Sequence, residues 1–204
     1  QEYFRFRPHE KDELAHYSKC CTDVEFLFPM GWKELEGIAH RGDFDLSRHS
    51  EFSGKDLAVF EQENNRTYTP HVVECSVGVD RLFLAVMCNA YQEDEIEGDT
   101  RVRLALPPFI APVQIAVLPL VKKLNDAALP LVTQLRKAGF RVHFDDSGSI
   151  GKRYRRYDEI GTPWCITVDF DSLNDHCVTI RDRDSLEQIR VSAEQVVKVL
   201  TEKK

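Results

Sequence analysis

The segment 72–87, with the sequence VVECSVGVDRLFLAVM, places the tightest constraint on what this chain can fold into. Its first residues favour a strand, Gly78 permits a backbone angle or close approach that a side chain would block, and residues 82–87 form an apolar run suited to a buried helix. The pattern predicts a strand, a turn and a helix whose first turn holds Arg81. Its planar guanidinium is then free to stack on a flat ring. The alternative interpretation is a buried helix with an Asp80 and Arg81 pair at its mouth.

Composition favours an ordinary soluble globular protein, because 42% of the 204 residues are hydrophobic and 30% are charged. No apolar run approaches the roughly 20 residues that a membrane helix needs, and the first residues lack the apolar stretch of a secretory signal. We therefore expect a cytoplasmic protein. The six cysteines form no CxxC pair, which predicts reduced, mostly buried thiols and no metal site. His40, His49 and His71 are too widely spaced to indicate a metal cluster.

The segment 92–112 predicts a domain boundary, because it begins with an acidic run and ends in prolines, which do not continue a helix or a central strand. Net charge also divides there, at −9 for residues 1–112 and +2 for residues 113–204. We expect two domains with these bounds. In the first, predicted strands at 23–28, 33–39 and 71–75 and one helix at 81–91 favour an antiparallel sheet flanked by helices.

In the second domain, strands and helices alternate, which predicts a small α/β domain of about five strands and three helices. The predicted strands are 113–118, 141–144, 164–170 and a hairpin of 177–180 with 188–191. The predicted helices are 120–138, one capped by Ser147 or Ser149 that runs to residue 160, and 193–200 capped by Ser192.

Polar residues in the first half predict a pocket. Glu34 and Glu36 lie two apart on a predicted strand and should share one face, as should Glu74 and Ser76 just before the glycine turn and Arg81. Carboxylates, a hydroxyl and an arginine around one sheet could hold an ammonium group, a metal ion and a nucleotide ring. Each glutamate alone is more often part of a solvated strand face, but their joint occurrence with the turn favours a pocket.

Four sequence blocks in fixed order resemble the C-terminal part of glycyl-tRNA synthetases of the homodimeric class II type. They are CTDVEFLFPMGWKELEGIAHRGDFDLSRHSEFSGKDL, HVVECSVGVDRLFLAVMCNAY, SGSIGKRYRRYDEIGTPWCITVDFD and VTIRDRDSLEQIRV. The resemblance covers nearly the whole chain. It implies part of an antiparallel catalytic sheet followed by an anticodon-binding domain. It also implies ATP-dependent activation of glycine to glycyl-adenylate with Mg²⁺, transfer to tRNA(Gly), and a homodimer as the full-length enzyme.

By this resemblance, Arg81 is the arginine that clamps ATP, and Arg81 and Glu74 are the catalytic pair. The ATP site would comprise Glu34, Leu35, Gly78, Val79, Asp80 and Arg81. The glycine site would comprise Glu74, Cys75, Ser76, Val77 and Gly78. Within it, Glu74 and Ser76 would face the ammonium group, while Cys75 would point to the opposite face and belong to the core. Glycine has no side chain to grip, so its charged ends must supply the affinity.

The second half resembles the anticodon-binding domain that several class IIa synthetases share, and within it GKRYRRYDE predicts a basic helix with interleaved aromatic residues. Its basic residues, Lys152, Arg153, Arg155 and Arg156, would meet phosphates, and the interleaved Tyr154 and Tyr157 would stack on bases. The alternative is a solvated helix face whose tyrosines pack inward. The segment RDRDSLEQIR instead predicts cross-strand charge pairs in an exposed hairpin.

The chain departs from the class pattern in lacking the dimer-forming first motif and the second motif with its phosphate-binding arginine. We therefore expect that the 204 residues alone cannot activate glycine. Two alternatives stay open. One is a non-catalytic tRNA- or DNA-binding accessory protein on a synthetase-like scaffold, and the other is a synthetase for histidine, proline or threonine.

Overall fold

The computed structural model describes residues 3–96 and 98–203, which form a mixed arrangement of strands and helices. The strands are β1 (Phe4–Pro8), β2 (Cys20–Phe28), β3 (Gly31–Gly42), β4 (Val59–Glu61), β5 (Arg66–Tyr68), β6 (Val72–Val77), β7 (Tyr91–Ile96), β8 (Asp99–Leu104), β9 (Ile115–Pro119), β10 (Val142–Phe144), β11 (Trp164–Val168), β12 (Cys177–Asp182) and β13 (Gln188–Ser192). The helices are α1 (Phe44–Ser53), α2 (Val79–Ala90), α3 (Asn125–Lys137), α4 (Ile150–Glu159), α5 (Ser172–Asp175) and α6 (Val196–Glu202). Among the described residues, no helix is both long enough and apolar enough to cross a membrane.

The chain divides into two compact units, Gln1–Cys88 and Asn89–Lys204. This division falls inside α2 and precedes the predicted boundary at residue 112. The boundary at residue 112 stays a prediction.

The first unit is built on an antiparallel sheet of order β1-β2-β3-β6. The strands predicted at 23–28, 33–39 and 71–75 all occur within it, and α2 follows β6 as predicted. Its small core contains Phe26, Phe28, Leu35 and Ala85, so α2 packs on the sheet through its middle turn. The first unit also contains elements that were not predicted: β1, α1 and the β4-β5 hairpin.

A β-bulge in β3 separates the two glutamates that were expected to share a face. Val24 of β2 pairs with Glu36, but the next residue, Glu25, pairs with Glu34, so Leu35 is the extra residue. An extra residue inverts the alternation of side chains along the strand, and the prediction of a shared face is therefore wrong. Leu35 turns into the core with only 8% of its surface exposed.

The second unit contains a five-stranded sheet of order β10-β9-β11-β12-β13, in which β10, β9 and β11 are parallel. The β12-β13 hairpin pairs antiparallel with β11. The predicted five strands and the helices α3, α4 and α6 are confirmed, and a four-residue α5 is added. The predicted cap by Ser192 is wrong, because Ser192 belongs to β13 and α6 begins at Val196 after Gln195.

The acidic run of the predicted boundary segment contributes to the β7-β8 hairpin of the second unit. Its key residue is Arg101, with 1% of its surface exposed. The Arg101 guanidinium donates to Asp94 Oδ1 at 2.7 Å, to the Arg183 carbonyl at 2.8 Å and to Asp158 Oδ2 at 3.4 Å. Hydrogen bonds from Arg101 lower the pKa of Asp94 to about 2. These contacts join the hairpin to residues that are distant in sequence.

The Asp158 carboxylate also joins the hairpin of β12 and β13 to this network. Arg181 donates to both Asp158 oxygens, at 2.8 and 2.9 Å, and Asp158 is fully buried. Arg183 is also buried and donates to the carbonyls of Leu106 and Gly161. The hairpin is as predicted, but its expected exposure is wrong for these two arginines.

All six cysteines are free, but the prediction that most are buried is wrong. Only Cys165 is buried, and burial raises the pKa of its thiol to about 12. Cys75, expected in the core, is exposed on the edge strand β6.

Candidate functional site

Arg81 and Glu34 meet at the mouth of a cavity in the first unit. Arg81 lies in the first turn of α2 and its Nη1 donates to the Glu34 carbonyl at 2.8 Å and reaches Glu34 Oε2 at 3.5 Å. Both side chains are about half exposed, at 55% and 51%. The guanidinium is therefore held by backbone and carboxylate while one face stays accessible.

The cavity beside this pair has a volume of 530 Å³. Its lining contains every predicted ATP-site residue together with Ser76 of the predicted glycine site. These residues are Glu34, Leu35, Ser76, Gly78, Val79, Asp80 and Arg81. A second hollow of 280 Å³ continues past the same arginine toward Phe28, Met30, Lys33, Glu34 and Leu84. The structure thus brings together two groups of predicted ATP-site residues, Glu34 with Leu35 and residues 78–81, which lie more than 40 residues apart in sequence.

Two local expectations about this segment are wrong. Gly78 has no positive φ, and the nearest described atom to a Cβ built there is Arg81 Cβ at 3.9 Å, so neither strain nor crowding requires glycine. The start of α2 is not buried either, since Leu82, Phe83 and Leu84 are 44%, 65% and 39% exposed. Only its middle and end pack, beginning at Ala85.

Glu74 and Ser76 share a face of β6, as predicted. Ser76 pairs with Gly37, and Gly37 pairs in turn with Asp23 on β2. A Cβ built on Gly37 would lie 3.6 Å from Glu34 Oε1 and 3.8 Å from Asp23 Oδ1. The bulge therefore places the Glu34 carboxylate on the same face as Glu74 and Ser76, which is what a joint site requires.

Cys75 and Val77 alternate with these residues and belong to the opposite face of β6. Cys75 pairs with Ile38 and Val77 with Glu36, which the bulge turns away from Glu34. Their side chains are exposed there. Their predicted place in the glycine site is therefore limited to the backbone of the strand.

Arg41 is a site residue that the sequence did not predict. Its Nη1 donates to Glu74 Oε2 at 2.5 Å, and its remaining donors make two bonds to Asp45, at 2.5 and 2.8 Å. The guanidinium also lies over the Tyr17 ring at 4.1 Å. The hydrogen bonds that Arg41 donates to Asp45 and then to Glu74 raise the pKa of Arg41 above its usual value. Arg41 therefore fixes the Glu74 carboxylate, although 33 residues separate the two.

Two buried carboxylates of β2 extend the acidic character of this face and were also missed. Glu25 accepts from Arg5 Nε at 2.5 Å, and Asp23 accepts from His9 Nε2 at 2.8 Å. They are only 8% and 7% exposed. With Glu34 and Glu74, they make the face suited to a small cation or an ammonium group.

In the second unit, the four predicted tRNA-binding residues of α4 do not share one environment. Arg153 is 1% exposed, and its Nη1 donates to the carbonyls of Pro119 and Asp145 at 2.8 and 2.9 Å. The predicted surface contact of Arg153 with tRNA is therefore wrong. Arg153 instead ties the end of β9 to the residue that follows β10. Lys152 and Arg156 are exposed, and Arg156 pairs with Asp145 at 2.5 Å.

Arg155 is partly buried, and its Nη1 has no hydrogen-bond partner among the described residues. The tyrosines of α4 pack inward, as the alternative interpretation held. Tyr154 bonds to Thr167 Oγ1 at 2.6 Å and Tyr157 to His143 Nδ1 at 2.5 Å, and burial raises the pKa of both. The predicted stacking of bases on these rings is wrong.

A family model and a solved structure are each similar to this chain. Residues 114–203 match the family model described as anticodon binding domain. The chain also shares its fold with a solved prolyl-tRNA synthetase from Cryptosporidium parvum, crystallised with L-proline and AMP, at a TM-score of 0.67 and 17% identity. That match covers 98% of this chain and 41% of the other. The chain therefore has the fold of the matched part of that structure, and the predicted fold class is confirmed.

Curated relatives are similar to the chain along its whole length. The chain is 57% identical over 203 residues to a glycine–tRNA ligase of Caldanaerobacter subterraneus subsp. tengcongensis, covering 100% of this chain and 44% of the relative. It is 53% identical to the glycine–tRNA ligase of Acetivibrio thermocellus, over 97% of this chain and 43% of that relative. The glycine–tRNA ligase of Clostridium tetani is 52% identical, over 100% of this chain and 44% of that relative. The predicted resemblance to glycine–tRNA ligases is confirmed along the chain, which spans less than half the length of these relatives.

Proposed function

We propose that the protein to which this chain belongs is a glycine–tRNA ligase. It would activate glycine with ATP and transfer it to the 3′ end of tRNA(Gly). The observation that carries this proposal is the placement of Glu34, Ser76 and Arg81 around one cavity, in a chain 57% identical to a glycine–tRNA ligase. This chain would supply one wall of the activation site and the domain that meets the anticodon.

Glycine recognition would depend on the acidic face of the first sheet. The Glu74 carboxylate is held by Arg41 and can accept charge-assisted hydrogen bonds from the ammonium group, with the Ser76 hydroxyl beside it. Such bonds in a partly dry site are worth more than in water, because the local dielectric is lower.

ATP would occupy the cavity beside Arg81. Its guanidinium is anchored by the Glu34 carbonyl and leaves a planar face for the adenine ring. Mg²⁺ would arrive with the phosphates, and Glu34, which lines both hollows, is the carboxylate placed to meet it. The metal would neutralise phosphate charge, while the protein's own groups orient the reactants.

The second unit would bind tRNA through exposed cations of α4. Lys152 and Arg156 are accessible, and Arg155 has an unused Nη1 that a phosphate oxygen could satisfy. Arg153 would act only by holding the scaffold. The homodimer implied by the resemblance is part of the same proposal.

The proposal is tested by ATP–pyrophosphate exchange in the protein that contains this chain. Exchange should depend on glycine and should not respond to proline, histidine or threonine. Exchange driven by one of those three would identify a different ligase. A folded protein that binds nucleic acid but shows no exchange would favour the accessory role.

Replacing Arg41 by alanine should raise the KM for glycine by roughly 10–100-fold, since Glu74 loses a charged hydrogen bond that fixes it. The KM for ATP should change much less. Steady-state exchange kinetics measure both values. The control is Arg48→Ala, an exposed arginine paired with Glu51 on α1, which should leave both unchanged. Equal effects on the two substrates would argue that Arg41 only supports the fold.

Replacing Lys152 and Arg156 by alanine together should weaken tRNA binding and lower its salt dependence. Each lost phosphate contact reduces the slope of log affinity against log salt by about 0.7–0.9. Fluorescence anisotropy at several salt concentrations measures this slope. Lys198→Ala on α6, an exposed lysine outside α4, is the control. An unchanged slope in the double variant would place the tRNA site elsewhere.

A further inference from the structure

A histidine, a cysteine and an aspartate converge on one face of the first sheet, outside the cavity of Arg81. The ligand atoms of His9, Cys21 and Asp23 all lie within 4.8 Å of one another. Among the described residues, this is the one group of three such side chains with this property. Two of its members come from β2, two residues apart, and the third follows β1 directly.

Backbone structure holds these three positions firmly. The His9 amide donates to the Cys21 carbonyl at 3.0 Å, which extends the β1-β2 pairing by one step beyond Pro8. Cys21 and Asp23 share a face because side chains alternate along a strand. Asp23 is 7% exposed, and His9 and Cys21 are partly buried, so the cluster is sheltered from water.

The donor set fits a borderline transition metal better than a hard cation. Imidazole nitrogen, thiolate sulfur and carboxylate oxygen are the three donor types of zinc sites, at roughly 2.0–2.3 Å from the ion. Tetrahedral geometry at those distances places ligand atoms roughly 3.3–3.8 Å apart. The observed spacing therefore requires only small side-chain movements.

We propose that His9, Cys21 and Asp23 form a binding site for Zn²⁺ with three protein ligands and an open fourth position. The ion replaces the hydrogen bond between His9 Nε2 and Asp23 Oδ2, now 2.8 Å long, by a bond to each residue. It also displaces the proton of the Cys21 thiol. Cys21 and Asp23 lie close together on β2, but His9 lies far before them in sequence, so the three ligands form no short spacing motif.

One neighbouring cation competes with the ion. Arg7 Nη1 lies 3.6 Å from Asp23 Oδ2, but Arg7 also bonds to Glu13 and is 41% exposed. Arg7 can therefore move toward solvent without losing its other partner.

The site lies on the same sheet face as the candidate glycine site. Cys21 pairs with Ala39, and Ala39 pairs with Glu74, so two strand spacings, or about 10 Å, separate Cys21 from Glu74. The proposal is nevertheless independent of glycine activation, because metal binding is measured on the chain without substrates.

Cobalt titration of the reduced chain tests the site, since Co²⁺ reports its ligands by absorption. We expect one equivalent to bind, with visible bands of a tetrahedral ion and a near-ultraviolet sulfur-to-cobalt band that zinc removes. Cys21→Ser should abolish the sulfur band and lower affinity at least 10-fold. Cys20→Ser, which changes the adjacent thiol on the opposite face, should have no effect.

A second experiment needs no variant. Zinc should protect Cys21 from alkylation, measured by mass spectrometry, while the exposed Cys20 and Cys75 react at unchanged rates. Three results would each overturn the proposal: a failure to bind cobalt, a sulfur band that survives Cys21→Ser, or equal alkylation with and without zinc. A site lost on His71→Asn instead would place the metal at the His40 and His71 pair, whose ring nitrogens are 3.3 Å apart.

Discussion

Replacing Asp158 by asparagine is expected to lower the free energy of unfolding of the second unit by about 3–5 kcal/mol. Asp158 is fully buried and accepts from Arg181 twice and from Arg101 once. Removing its charge leaves the buried Arg181 guanidinium without its carboxylate partner and leaves Arg101 with Asp94 alone. The desolvation penalty of these buried charges is the physical reason for the size of the effect. It is a large fraction of the 5–15 kcal/mol that typically stabilises a domain.

Urea unfolding followed by tryptophan fluorescence measures this loss. Trp164 is buried in the second unit, so a Trp32→Phe background restricts the signal to that unit. The control is Asp184→Asn, whose carboxylate pairs with Arg103 and Arg183 but is 51% exposed, and a change of less than about 1 kcal/mol is expected.

A double variant separates the charge effect from packing. Adding Arg181→Met to Asp158→Asn should recover part of the lost stability, because one unpaired charge is removed with it. If Asp158→Asn alone costs no more than Asp184→Asn, the buried network does not stabilise the unit as argued.

Replacing Arg81 by alanine should lower kcat/KM for glycine activation by about 10²–10³-fold in the protein that contains this chain. Arg81 is the guanidinium that the Glu34 carbonyl anchors at the cavity mouth. No other cation among the described residues lines that cavity, so none is placed to replace it. ATP–pyrophosphate exchange measures the loss. Arg81→Lys should recover only part of it, since a lysine keeps the charge but not the planar face.

Two comparisons make this result specific. Arg48→Ala again provides an exposed arginine outside the cavity, and its activity should match the unchanged protein. Circular dichroism should be the same for all three variants, because Arg81 is 55% exposed and carries little of the core. Near-normal exchange by a folded Arg81→Ala protein would show that ATP does not bind in this cavity.

Local pattern was enough to predict much of the fold. The second sheet follows from alternating apolar strands and periodic helices, such as β9, α3 and β11, whose core residues are contiguous in sequence. The strand, turn and helix around Arg81 follow from the order of residues in one segment. The resemblance then linked Arg81 to Glu34, and the structure places the two in contact.

The remaining features depend on contacts that a linear pattern does not encode. Arg41 acts on Glu74 from 33 residues away, and Asp94, Arg101 and Asp158 look like solvated charges until their partners are known. A single extra residue, Leu35, reverses the face of Glu34. Arg153 reads as surface charge, yet its donors satisfy buried carbonyls. In each case a non-local partner decided the outcome.

The central claim is that Glu74 and Ser76 receive the ammonium group of an adenylated glycine whose adenine ring lies against Arg81. A crystal structure of the protein that contains this chain, with 5′-O-(N-glycylsulfamoyl)adenosine bound, tests it most directly. The claim predicts the glycyl nitrogen within about 3 Å of Glu74 or Ser76 and the adenine stacked on Arg81. An analogue bound away from these residues, or with its ends reversed in the cavity, would contradict it.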